Sequence, residues 1–314
     1  MARTPTDGPV VSQHRSGPSQ ATPSRTARSV VVACAVASAF SLATPSSALA
    51  GSNDVTLHRF GTCVIVGGEC ATVETNDAAF RNFARDLGLV FAPPLGTTAE
   101  TLGQAGFAVQ VDQTFSIIDA NEEYWRLADA DQNPMGTLPV TNLRVRKGLP
   151  LSLELGGNVS ILWESQLVAV GTELRWALHE DFLWPVPDVA IRGYVNTVVG
   201  HPQLQLTTAG GELIVGLPIG VGNVANITPY AGYNLAVVVM ASRLIDATPL
   251  DPRPPISVDG GGGSQPEFVF PVDTAIVHQG VVGLRTQFAV TNLGFQAQFS
   301  STVQNYTLTF GLEF

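Results

Sequence analysis

Lysine is nearly missing from this chain: among its 314 residues only Lys147 is one. Charged residues of all kinds come to 13%, about half the share usual in soluble proteins. A soluble sheet protein of this length needs many more charges on its wet face. The 16 basic residues are outnumbered by 26 acidic ones, for a formal net charge of −10. Nucleic acid, which demands clustered Lys and Arg, is therefore excluded as a partner. A long apolar run is lacking too. Residues 30–43 are apolar but broken by serines, and they fall short of the roughly 20 residues a helix needs to cross a bilayer. Cysteine is scarce, at three. His58, His179, His201 and His278 stand at no metal-ligand spacing, so no metal and no other cofactor is expected. No nucleophile elbow or comparable motif is present, and no enzymatic activity is expected.

What is present at the amino terminus reads as an export signal. Arg25 and Arg28 precede the apolar residues 30–43, and Ala48-Leu49-Ala50 supplies the small residues of a cleavage site. Residues 1–50 are expected to be removed, with the cut between Ala50 and Gly51. Cys34 has no apolar run ahead of it and is not read as a lipidation site. Cys63 and Cys70 remain, in Cys-Val-Ile-Val-Gly-Gly-Glu-Cys. An exported chain meets oxidising conditions, so a local disulfide is expected, contributing about 2–3 kcal/mol by the chain-entropy account.

Residues 51–104 form a small N-terminal segment with one short helix. Phe80, Phe83, Ala84 and Leu87 share a helical face, and Thr75 or Asn76 can cap its start. Such a helix either plugs a barrel or lies beside its base on the periplasmic side. Residues 87–92 offer a short extra strand before Pro93-Pro94 and Gly96 break the pattern. Asp129-Ala130-Asp131-Gln132-Asn133 opens like a calcium loop, but Pro134 stands where the glycine belongs and Val140 where the closing Glu belongs. It reads as a polar turn.

From Phe107 onward apolar and polar residues alternate, the pattern of strands with one greasy face. Val109, Val111 and Phe115 alternate with Gln110, Asp112 and Thr114; Val170, Leu174 and Trp176 with Gly171, Glu173 and Arg175; Leu284 and Phe288 with Arg285 and Gln287. The stretch 203–217 changes phase near Ala209-Gly210-Gly211, which predicts a bulge or kink. Segments run about 9–15 residues, longer than the five or six of a sandwich strand. Their polar face is mostly Gly, Ser, Thr, Asn and Gln, and Trp163, Trp176, Tyr306 and Phe314 sit near segment ends, with Trp184 in a turn, as in an interfacial girdle. These features predict an all-β fold, a single transmembrane antiparallel β-barrel over residues 105–314. The count is about ten strands, or twelve if 87–92 joins with another piece. Ten strands put both ends of the barrel in the periplasm, with turns near Lys147-Gly148, 220–223 and Thr291-Asn292, and with the long connections 119–139 and 242–267 on the far side.

Turning the strands over would expose several charges to lipid, at roughly 2–4 kcal/mol for each Arg near the midplane. The lumen is therefore expected to be lined by Asp112, Arg144, Arg146, Glu154, Glu173, Arg175, Arg192, Arg285 and Glu313. Two readings of these charges stay open: a constriction that selects what passes, or a packed, salt-bridged filling.

The last ten residues complete the pattern. Tyr306, Leu308, Phe310, Leu312 and Phe314 share one face; Thr307, Thr309, Gly311 and Glu313 share the other. This stretch resembles the closing strand of bacterial outer-membrane β-barrels, in which a terminal Phe on an alternating strand is the mark used in assembly. The resemblance implies that Tyr306, Leu308, Phe310, Leu312 and Phe314 form the assembly signal, that outer-membrane lipid and the barrel-assembly machinery are partners, and that the chain sits in a Gram-negative outer membrane. A narrow channel for small solutes is the leading expectation for function. The alternative is a non-conducting structural or surface-binding barrel acting through its outer loops.

Overall fold

The computed structural model describes residues 51–66, 69–180, 186–222, 224–249 and 266–314. The expected export signal, Trp184 and the Gly-rich residues 260–263 lie outside them. A disulfide-closed hairpin, β1 (Gly61–Val66) and β2 (Glu69–Thr75), leads into helix α1 (Asp77–Val90). The barrel strands are β3 (Phe107–Ile117), β4 (Thr137–Leu149), β5 (Leu153–Leu162), β6 (Val168–His179), β7 (Asp188–Val199), β8 (Leu204–Gly216), β10 (Ala225–Ser242), β13 (Asp273–Phe288), β14 (Thr291–Phe299) and β15 (Gln304–Glu313). Three short pieces, β9 (Ile219–Val221), β11 (Ile245–Asp246) and β12 (Glu267–Phe268), and helix α2 (Glu123–Ala128) decorate the connections.

Each barrel strand pairs antiparallel with its neighbours, β10 with β13 and β15 with β3, so the ten strands close without a free edge. The alternation sets the facing. Val111, Leu155, Leu174, Leu213, Leu284, Leu308 and Phe310 point outward and are exposed, while Asp112, Glu154, Glu173, Arg175 and Thr309 point inward and are buried. An apolar outside around a charged inside is the reverse of a soluble protein. Water cannot be the solvent of that outer face, and a closed sheet satisfies every wall backbone group without it. The chain has the fold of a transmembrane β-barrel.

The two mouths differ. Phe314 pairs with Phe107 through two backbone hydrogen bonds of 2.8 and 2.9 Å, so β3 begins and β15 ends at one mouth. Two of its four turns are tight, residues 150–152 and 289–290, and the other two, 180–187 and 217–224, have eight residues each; the two longest connections, 118–136 and 243–272, are at the other mouth. The opposite mouth carries the connections 118–136, 163–167, 200–203, 243–272 and 300–303. Residues 51–90 gather there, at the mouth away from Phe314.

Three local expectations need correction. Residues 87–92 are not a strand: 87–90 are the last residues of α1, and ten strands stand without a further pair. The stretch 203–217 carries no bulge, because β8 runs through it and pairs in continuous register with β7 and β10. Its apparent phase change comes from Leu204 and Leu206, which face inward and are buried against the apolar top of the filling. The turn expected at Lys147-Gly148 lies at 150–152, where Leu151 and Ser152 take positive φ. Gly148 is still in β4, and a Cβ there would lie 1.8 Å from the Gly103 carbonyl oxygen. Glycine is needed for a close approach of two chain segments, not for a turn.

Helix α1 lies inside the barrel mouth. Asn76 caps it, its Oδ1 accepting the Ala79 amide at 3.1 Å. Its buried face, Phe80, Phe83, Ala84 and Leu87, packs on Leu138, Val140, Leu206, Val238 and Met240 from the wall. Phe80 stacks on Phe270 with ring centroids 4.0 Å apart, and Phe83 meets Trp125 edge-on at 5.1 Å. Each large side chain buried here is worth about 1.5–3 kcal/mol. The described lumen thus has two halves: a dry apolar half around α1 and a polar half nearer Phe314.

Candidate functional site: the filled lumen

The polar half is built by wall residues at alternate positions. Asp112 comes from β3, Arg144 and Arg146 from β4, Glu154 from β5, Glu173 and Arg175 from β6, Arg192 from β7, Glu212 from β8, Arg285 from β13 and Glu313 from β15. Each of the five arginines has a carboxylate within 4.0 Å. Arg146 bridges Glu154 and Glu313 at 2.9 Å each. Arg192 holds Glu212 at 2.6 Å and also binds Glu173. Arg144 reaches Asp112 at 3.2 Å, Arg175 reaches Glu154 at 3.5 Å, and Arg285 binds Glu313. Removing one partner of such a buried pair strands the other and costs roughly 3–5 kcal/mol.

Down the middle of this ring runs the chain itself. Residues 91–106 descend from the end of α1 to the start of β3, and the wall binds them at each level. The Phe91 carbonyl accepts Asn196 Nδ2 at 2.5 Å, and the Leu95 carbonyl accepts Arg144 Nη1 at 2.7 Å. Arg144 also donates to the Pro94 carbonyl, and Arg192 to that of Pro93 at 3.5 Å. Gly96 donates its amide to Gln296 Oε1 at 2.9 Å and accepts Gln110 Nε2 at 3.0 Å. Lower down, Arg175 donates to Thr97 Oγ1 and to the Thr98 carbonyl, at 3.0 and 3.2 Å. Arg285 donates to Thr98 Oγ1 at 3.2 Å. Near the Phe314 mouth Glu180 accepts the Thr101 amide at 2.8 Å.

The composition of the threaded segment explains why it fits. Arginine has donors and no acceptor, so an arginine-lined lumen wants carbonyls. Pro93 and Pro94 offer carbonyls and no N–H, and they leave no orphan donor in a dry place. Sequence reasoning took the two prolines only as a break. Glu212 escapes the pattern because Leu204 and Leu206 make β8 look out of phase, and Thr97 and Thr98 escape it because their partners are far away in the chain; Asn196 and Gln296 stand on the polar face of the alternation, but nothing local names the segment they bind. A polar pocket of about 230 Å³ remains at the Phe314 mouth, lined by Thr97, Glu100, Arg146, Arg285, Gln287 and Glu313 among others.

The other residues singled out in the sequence fall into place outside the lumen. Tyr306, Leu308, Phe310 and Leu312 lie on the outward face of β15, and Phe314 is exposed at its mouth. Cys63 and Cys70 are bridged, with Cα atoms 5.3 Å apart. Asp129 Oδ2 accepts the Asn133 amide at 2.8 Å and closes a polar turn. His201 clips a connection. Its Nδ1 accepts the amides of Gln203 and Leu204, at 3.2 and 2.8 Å, which leaves Nε2 to donate to the Val55 carbonyl at 3.2 Å.

No family model matches the chain, and no curated protein matches it. Solved structures with a similar course include Ail, the attachment invasion locus protein of Yersinia pestis, at 10% identity and a TM-score of 0.24, over 67% of this chain and 99% of that one. The KdgM porin is similar at 8% identity and a TM-score of 0.29, over 65% and 99%. The transport unit of the autotransporter AIDA-I from Escherichia coli is similar at 9% identity and a TM-score of 0.34, over 76% and 98%. At such values these likenesses carry nothing about function.

Proposed function

We propose that this chain is an outer-membrane barrel that does not conduct, and that it acts as a structural or surface-binding element through the mouth bearing its long connections. One observation carries the reading: residues 77–106 occupy the lumen, and its five arginines are bound both to wall carboxylates and to that segment. Any solute path would have to displace the Arg144 and Arg175 contacts and the apolar packing of α1 together. The outward apolar face supports a place in a bilayer. Short turns on the periplasmic side and long loops outside are the rule for such barrels, which puts the Phe314 mouth inward. In this reading residues 1–50 direct export and are cut off before Gly51, lipid contacts the outer face, and the outward residues of β15 with Phe314 are what the assembly machinery reads.

The narrow channel is the second reading, and the polar pocket behind Phe314 favours it. Planar bilayers separate the two. The refolded full-length barrel is expected to give no discrete conductance steps. Stable, ohmic single-channel steps would overturn the proposal and return the channel to first place.

A further inference from the structure

We infer that the lumen serves as the route by which the chain's own N-terminal arm reaches the outer surface, so that residues 51–76, with their disulfide-closed hairpin, are displayed outside the cell. Which mouth is outward rests on the outer-membrane reading above. That the arm and the long connections share a mouth is geometry.

Ten strands alone would leave both ends of a barrel on one side, and Phe107 and Phe314 do lie together. The segment 91–106 makes one further crossing inside the lumen, from Thr101 at Glu180 to Phe91 at Asn196. That odd crossing carries everything before it to the far mouth. The arm is then fastened to four of the five connections there, and α1 to the fifth. Asn53 donates to the carbonyls of Glu164 and Trp163, both at 2.9 Å. Val55 accepts from His201 at 3.2 Å. The Thr56 amide binds the Ala128 carbonyl at 2.8 Å, and Arg59 donates to the Ala130 carbonyl at 2.7 Å. Phe60 packs edge-on against Phe270, centroids 6.3 Å apart. Asp86 of α1 accepts Thr302 Oγ1 at 2.7 Å. An arm lying on the inner side would make none of these contacts.

The test uses three full-length variants, each with one added cysteine and with Cys63–Cys70 left intact: Glu74→Cys on the hairpin, Asn121→Cys in the 118–136 connection and Leu151→Cys in a turn at the Phe314 mouth. A membrane-impermeant maleimide is applied to intact cells and then to permeabilised cells, with the unsubstituted protein as background. Glu74→Cys and Asn121→Cys are expected to label on intact cells, and labelling of Leu151→Cys is expected to be lost until permeabilisation. Labelling of Asn121→Cys alone on intact cells overturns the inference, since the arm would then be inside. Labelling of Leu151→Cys alone on intact cells overturns it also, because the arm and loops would face inward. Ser52→Cys replaces Glu74→Cys if the latter fails to give heat-modifiable barrel. Conductance does not enter the readout, so a conducting barrel with a labelled arm would sink the non-conducting reading and leave this one standing.

Discussion

Gly88 sits inside helix α1, where alanine is the better helix former by about 1 kcal/mol. A Cβ at this position would lie 2.5 Å from Val238 Cγ1 and 3.0 Å from Thr208 Oγ1, and the wall strand cannot retreat without breaking its ladder. Overpacking of this kind costs about 1–3 kcal/mol, more than the propensity gain. Gly88→Ala is therefore expected to lower the stability of the folded barrel in a denaturant titration, and adding Val238→Ala should recover most of the loss. A stabilised Gly88→Ala would mean that α1 does not rest on β10. His201 offers a pH-dependent counterpart. Burial, against the Val55 carbonyl and Asp54, holds its pKa below the ordinary 6.5, and its Nδ1 must stay unprotonated to accept two amides. The unfolded ring takes up a proton near 6.5 while the folded ring does so only at lower pH, so across that window the unfolded state binds more protons and stability falls as pH falls. Protease nicking in residues 51–60 should rise as pH drops below about 6.5 in the unaltered protein. In His201→Phe it should be high and flat with pH; a steep pH response in that variant would remove His201 as the cause.

Among the elements, the wall strands were legible from the sequence because period two survives burial: one face meets lipid and the other does not. Even so, the lumen has two chemistries, and that is where the pattern misled. Leu204 and Leu206 are inward and apolar because α1 is their neighbour, so β8 read as two halves out of phase. Pro93-Pro94 and Gly148 read as punctuation, and each answers instead to a segment far away in sequence. The neighbours that decide those positions are invisible to local periodicity. Strand β15 allows the facing to be tested directly. Thr309 points inward, its Oγ1 donating to Asp112 Oδ1 at 2.7 Å, whereas Phe310 is exposed on the outer face. Thr309→Asp sets a second carboxylate against Asp112, and Phe310→Asp loses about 1.5–3 kcal/mol of aromatic burial in lipid. Both should reduce the heat-modifiable fraction. Only the first should be rescued by Asp112→Asn, which restores a donor and removes a charge. Rescue of Phe310→Asp by the same change would mean that the facing is inverted.

At the scale of the whole molecule, wall and filling are one cooperative body. Carbonyl and hydroxyl oxygens of the threaded segment give the arginines acceptors beyond the wall carboxylates, and the aromatic cluster around α1 closes the opposite half. To withdraw residues 91–98 the protein must leave Arg144 and Arg175 without the Leu95, Thr97 and Thr98 oxygens they now hold, in a place with few substitutes. Local opening there should cost nearly as much as opening the wall, because regions exchange according to the free energy of the unit they belong to. The displayed hairpin differs: β1 and β2 pair with each other and stand apart from the closed sheet. Hydrogen exchange on the folded barrel in detergent reads this difference peptide by peptide. Amides of 77–98 are expected to exchange on the slow time scale of β7 and β8, and those of 61–75 much faster. A lumen whose segment 91–98 exchanges as fast as the hairpin, while β7 and β8 stay protected, would be a lumen that empties on its own, and the contacts described for its arginines would not be what keeps it filled.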